Sequence, residues 1–102
     1  VHWLAWCLEE LFRFKSACLR KCFVVDDRSE PDQARKVKEI VALYPQIELI
    51  TIEGQEGGFG YACNFAAAKC SADNILFLNT DCLLTEGVID RLSEVFNIDS
   101  QI

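Results

Sequence analysis

Two apolar runs of the chain each end in carboxylates that could bind a nucleotide. The first run, residues 22–25, is followed by Asp26 and Asp27, and the second, residues 75–78, leads to Asp81. A carboxylate beside a cleft can accept hydrogen bonds from sugar hydroxyls or from a base N–H. A carboxylate that faces phosphates needs a cation between them, because like charges repel. The two segments together predict a nucleotide with a bound metal ion; alternatively, these aspartates only begin turns, where Asp is common.

A glycine-rich segment lies between the two acidic ones. Residues 53–60 read EGQEGGFG, and such a segment permits close backbone approach to a ligand. Gly58 and Gly60 follow a β-prone run and precede a helical pattern, as in a dinucleotide-binding loop. The third small position falls on Cys63, which leaves that pattern incomplete. The alternative is an ordinary strand-to-helix turn.

Alternating strands and helices must position these residues. The predicted strands cover residues 22–25, 47–52 and 75–78. The predicted helices cover residues 3–15, a segment that begins at 29–31 and ends at 44, residues 61–70, and a last segment capped by Thr85. This alternation implies crossover connections and a parallel sheet, whose ligands gather at the carboxyl ends of the strands. The continuous apolar run at 75–78 is typical of a strand buried on both faces. The expected fold is α/β, a three-layer Rossmann-like sandwich with a mostly parallel sheet.

Composition limits the classes of function. The 102 residues suit one domain, and the net charge of −6 argues against a nucleic-acid surface. No apolar stretch approaches the roughly 20 residues that a transmembrane helix needs. The six cysteines form no C-x-x-C pair and mostly lie within apolar patterns. They are interpreted as reduced thiols of a cytoplasmic protein, with a disulfide framework as the alternative.

Four segments, in order, resemble motifs of the family 2 glycosyltransferases, inverting enzymes of the GT-A fold. Residues 23–29, FVVDDRS, are similar to the family's V-V-D-D/N-x-S strand end, and residues 58–64, GFGYACN, to its G-F-x-x-A-x-N loop. Residues 76–81, LFLNTD, resemble the L-F-L-N-x-D form of its D-x-D motif. Residues 3–11, WLAWCLEEL, resemble its first helix, Y-L-x-x-C-L-x-S-L. The resemblance covers almost the whole chain.

The resemblance implies a donor site. Its nucleotide-sugar-binding residues would be Asp26, Asp27, Gly58, Asn64 and Asn79, with Asp81 as the metal ligand. Asp26 would contact the base and ribose, and Asp81 would bind Mn²⁺ or Mg²⁺ under the sugar diphosphate. The expected ligand is a nucleotide sugar, UDP- or dTDP-linked. The implied function is to bind this donor within an inverting glycosyltransferase that transfers the sugar to an acceptor.

The chain departs from the family pattern at several positions. Arg28 replaces a common Gly, Glu56 stands where Asn is frequent, Ala66 where a Gly often follows, and Cys82 where Thr or Ala is usual. The family's first strand would precede Trp3, and its acceptor-binding half, with the general base, would follow residue 102. Residues 1–102 are therefore expected to be a single partial domain, the nucleotide-sugar-binding half, with the catalytic residue unknown. Unpaired strand edges would favour a homodimer.

Two other functions stay open at this point. The chain could be a catalytically inactive nucleotide-binding or interaction module of the same α/β fold. It could also be a different α/β binder of nucleotides or phosphate, such as a Rossmann-like domain. A complete G-x-G-x-x-G would favour the last of these, and it is lacking.

Overall fold

A computed structural model describes residues 2–98, which form a mixed α/β fold with a parallel sheet. In chain order the elements are α1 (His2–Arg13), β1 (Cys22–Asp27), α2 (Pro31–Val41), β2 (Ile47–Ile52), α3 (Phe59–Ala67) and α4 (Val88–Ile98). They fall into two compact units. We call residues 21–78 the sheet unit, and residues 2–20 with 79–98 the helical unit. The predicted α/β class and the parallel pairing of its first two strands are confirmed.

The sheet unit is built on one strand–helix–strand connection. β1 and β2 pair in parallel, with register from Cys22 opposite Ile47 to Asp27 opposite Ile52. α2 connects them and begins at Pro31, a residue that suits the first turn because its missing N–H has no helical partner there. The core of this unit consists of apolar side chains from the two strands and α2, namely Val24, Val41, Ile50 and Ile52.

The prediction of a buried strand at residues 75–78 is wrong for the described chain. These residues have no strand assignment, and Ile75, Leu76 and Phe77 are 47%, 50% and 53% exposed. A strand exists only where a neighbour accepts and donates its backbone hydrogen bonds. Within residues 2–98 the sheet contains β1 and β2 alone, so no strand pairs with this run. The apolar composition of residues 75–78 favours burial, but it does not show whether a neighbouring strand is present to pair with them.

The helical unit contains α1 and α4. α1 buries the stripe that its spacing predicts, Leu4, Cys7, Leu8 and Leu11. α4 begins at Val88, three residues after the expected cap Thr85, whose carbonyl oxygen accepts the Val88 N–H at 3.3 Å. The Ser16 hydroxyl donates to Asp90 at 2.5 Å and so ties the segment after α1 to α4.

The structure bears on the prediction that the cysteines are reduced thiols. All six cysteines lie among the described residues and are free thiols in the structure. Burial raises the pKa of the Cys7 thiol, and the neighbouring Cys82 and Asp81 raise it further. Cys7 therefore remains a neutral thiol and packs as a small apolar residue.

Across residues 2–98, every helix is too short or too polar to cross a bilayer.

Candidate functional site at the carboxyl end of the first strand

Asp26 is a buried carboxylate at the end of β1. It is 5% exposed and lies on the same face of the strand as the core residue Val24, because side chains alternate along a strand. Its Oδ1 accepts the backbone N–H of Ser29 at 3.1 Å. This bond closes the turn that leads into α2, so Asp26 has the turn role that the simpler interpretation assigned to it. The same bond also fixes the position of the carboxylate at the edge of the sheet.

Asp27 joins the end of β1 to the glycine-rich segment. Its Oδ2 accepts the Gly58 N–H at 2.8 Å, and its Oδ1 accepts Nε–H of Arg28 at 3.0 Å. The Gly58 amide lowers the pKa of the Asp27 carboxyl most strongly; Arg28 lowers it further, and partial desolvation opposes both. Asp27 is therefore firmly ionised at neutral pH, with each of its oxygens already in a hydrogen bond.

Arg28 adopts a backbone conformation that usually belongs to glycine. Its φ of 59° makes it the one non-glycine residue with positive φ in the described part of the chain. A side chain in this left-handed region costs about 1 kcal/mol. The guanidinium donates from Nη1 to the carbonyl oxygen of Gln55 at 3.1 Å, and a Cβ added at Gly57 would overlap its Nε. Arg28 thus packs directly against the glycine-rich segment.

Gly58 is the N-cap residue before α3, and its backbone conformation requires glycine. Its φ is 104°, whereas a Cβ placed there would meet nothing within 4 Å. Its carbonyl oxygen accepts the Ala62 N–H at 2.9 Å, the first bond of the helix. Asn64 lies further along α3 and is exposed. The glycine is therefore retained for its φ, while its N–H is directed at Asp27.

Asn79 and Asp81 lie in a turn of the helical unit. Both residues are exposed, and the Asn79 carbonyl oxygen accepts the Cys82 N–H at 3.1 Å. The Cys82 thiol donates a long bond to Asp81 Oδ1 at 3.8 Å. Among residues 2–98 there is no group of three or more His, Cys, Asp or Glu side chains placed to hold a metal ion. Asp81 thus offers a single accessible carboxylate.

The comparison with protein-family models decides the family. Residues 2–100 match the model described as glycosyl transferase family 2. The chain belongs to this family. Searches of curated proteins and of solved structures found no match. The family assignment suggested by the four motifs is therefore confirmed.

In this family 2 domain, some residues of the candidate site can be predicted from the sequence and others cannot. A hydrogen bond joins Asp27 and Gly58 at the end of β1, and Asp26, the preceding strand residue, accepts the Ser29 N–H. Arg28 and Gln55 belong to the same set of contacts, and the sequence motifs do not indicate their role. The available signal was the glycine expected by the family at position 28, because a glycine preference often marks a positive φ.

Proposed function

We propose that this chain binds a nucleotide-diphosphate sugar as the donor-binding part of an inverting glycosyltransferase. The observation that carries the proposal is the family match over residues 2–100. The grouping of Asp26, Asp27 and Gly58 at the carboxyl end of a parallel strand supports it, because ligands of open α/β sheets gather at that edge.

In the proposed complex the nucleoside lies at the end of β1. Asp26 accepts hydrogen bonds from the base and ribose, since a carboxylate has lone pairs for several donors and Ser29 uses only part of them. Gly58 and Asn64 line the donor side, where the absence of a side chain at Gly58 lets the backbone approach the ligand. The preferred donors are UDP- or dTDP-linked sugars.

The proposed metal ligand is Asp81, with Asn79 beside it. The residues present fit a hard cation shared with the ligand, because Mg²⁺ is commonly bound by one or two carboxylates, waters and substrate phosphates. The described residues supply no three-ligand group, so the diphosphate would complete the coordination. A bound Mn²⁺ or Mg²⁺ supplies charge that offsets the negative charge of the leaving diphosphate.

Calorimetric titration of the chain with UDP tests this proposal. We expect UDP to bind more tightly with Mn²⁺ than with chelator, because the cation removes the repulsion between Asp81 and the phosphates. Asp81→Ala should abolish that difference while leaving the thermal melt unchanged, since Asp81 is exposed. Asp73→Ala is the matched control, because it removes the same charge from another exposed position. Binding that neither chelator nor Asp81→Ala alters would rule out the metal role.

A further inference from the structure

Arg28 connects segments of the sheet unit that are far apart in sequence. Its guanidinium donates to Asp27 on β1 and to the Gln55 carbonyl oxygen in the glycine-rich segment, at 3.0 and 3.1 Å. The same group lies against Gly57, where any side chain would displace it. Asp27 completes the connection by accepting the Gly58 N–H at 2.8 Å. Arg28, Asp27, Gln55 and Gly58 thus form one set of contacts, which we call the Arg28 clamp.

The geometry of the clamp argues against an incidental surface ion pair. The guanidinium donates from two different nitrogens to two different segments, whereas an isolated exposed ion pair often contributes nothing measurable to stability. The backbone of Arg28 is held at a φ of 59°, a conformation that arginine adopts only where its surroundings enforce it. Both oxygens of Asp27 are occupied within the clamp.

We propose that Arg28 is a positioning residue for the nucleotide site, and that Asp27 serves the glycine-rich segment instead of the ligand. This inference rests on the proposed function. The clamp holds residues 55–58 on the end of β1, so the Gly58 backbone is in place before a nucleotide arrives. The Ser29 amide separately holds the Asp26 carboxylate. Preorganisation of this kind raises affinity, because the segment loses less freedom on binding.

The first test replaces Arg28 by glycine. Glycine accepts the positive φ without strain, so Arg28→Gly removes the guanidinium and keeps the fold. We expect amide hydrogen exchange at Gly58 to become about tenfold faster, as for the loss of a modest hydrogen-bond network. UDP affinity should fall by a similar factor, about tenfold, while the thermal midpoint is unchanged or higher. A merely structural arginine would lower the midpoint and the affinity together.

Two further variants make the result specific to the clamp. Arg35→Ala removes the same charge from an exposed arginine whose ion pair with Asp32, at 3.6 Å, stays within α2, and it should change neither measurement. Gly57→Ala displaces the guanidinium without altering residue 28, so it should reproduce Arg28→Gly. In an Arg28→Gly background, Gly57→Ala should add nothing, because both changes open the same contact.

The outcomes separate this inference from the function on which it rests. Failure of the unaltered chain to bind UDP overturns the proposed function, and the nucleotide role of Arg28 with it. UDP binding that Arg28→Gly leaves unchanged overturns the positioning role alone. Unchanged exchange at Gly58 in both Arg28→Gly and Gly57→Ala overturns the clamp itself, whether or not UDP binds.

Discussion

The carboxylate of Asp27 accepts a backbone amide on one oxygen and a guanidinium on the other, and both donors lower its pKa. A group whose pKa is lower in the folded state stabilises the fold fully above its unfolded pKa, about 4 for Asp. That contribution is lost as the pH falls through the folded value. Asp27 should therefore contribute to the acid sensitivity of the sheet unit.

Urea unfolding of Asp27→Asn at neutral and acid pH measures this contribution. The asparagine oxygen can still accept the Gly58 N–H, but it has no charge to lose. We expect the free energy of unfolding to fall less below about pH 4 in the variant than in the unaltered chain. Asp73→Asn, at an exposed position of the sheet unit, is the control for net charge. Parallel pH profiles for the unaltered chain and Asp27→Asn would contradict the assignment.

At the residue scale, side-chain chemistry was easier to predict than backbone conformation. Asp26, Asp27 and Gly58 stand out because acidic and glycine residues at strand ends have few common uses. Arg28 could not be selected in the same way, since its role depends on a positive φ and on a carbonyl 27 residues away. The identity of an arginine indicates neither its backbone conformation nor a hydrogen-bond partner that is distant in sequence.

At the element scale, the sheet unit depends on helices to stabilise two strands. A two-stranded sheet is marginal by itself, so the apolar contacts of β1 and β2 must provide most of the stability. Ile50 is 4% exposed at the centre of β2. We expect Ile50→Ala to lower the free energy of unfolding by about 2–5 kcal/mol, through lost transfer energy and the cavity that remains.

Chemical denaturation checks the Ile50 prediction against a matched surface position. Leu43→Ala removes a side chain that is 75% exposed and should change stability by no more than about 0.5 kcal/mol. Similar losses for Ile50→Ala and Leu43→Ala would mean that β2 does not form the core of the sheet unit.

The elements also differ in how well local sequence determined them. α1 can be predicted because its apolar stripe repeats within one segment, and an α-helix forms its backbone hydrogen bonds within that segment. The run at 75–78 has equally strong local apolar character, but a strand needs a partner from elsewhere in the chain. Local pattern therefore predicted burial and strand together, and the described structure shows neither.

At the scale of the whole molecule, exposed apolar side chains predict self-association. Phe77 in the sheet unit is 53% exposed, and Trp3 and Trp6 in the helical unit are 44% and 48% exposed. Exposed apolar patches commonly mark interaction surfaces, and twofold pairs are the commonest assemblies of soluble chains. We propose that the chain forms a homodimer at micromolar concentrations, detectable by sedimentation velocity.

A substitution at Phe77 tests that proposal. Phe77→Asp should shift the sedimenting species toward monomer, because a charge at the contact must be desolvated. Gln33→Asp adds the same charge at an exposed site on α2 and should leave the distribution unchanged. A clean monomer for the unaltered chain, with a cooperative melt, would end the dimer proposal.

The aromatic side chains are divided between the two units in a way that matters for spectroscopy. Both tryptophans of the chain, Trp3 and Trp6, lie on α1 with their rings stacked at a centroid distance of 5.8 Å. Both tyrosines, Tyr44 and Tyr61, lie in the sheet unit. Indole fluorescence and its quenching by acrylamide therefore report on the helical unit alone. The near-ultraviolet band contains both tyrosine and tryptophan, so a transition in that band that is absent from the tryptophan fluorescence belongs to the sheet unit. The unfolding of the two units can thus be told apart in one sample without a label.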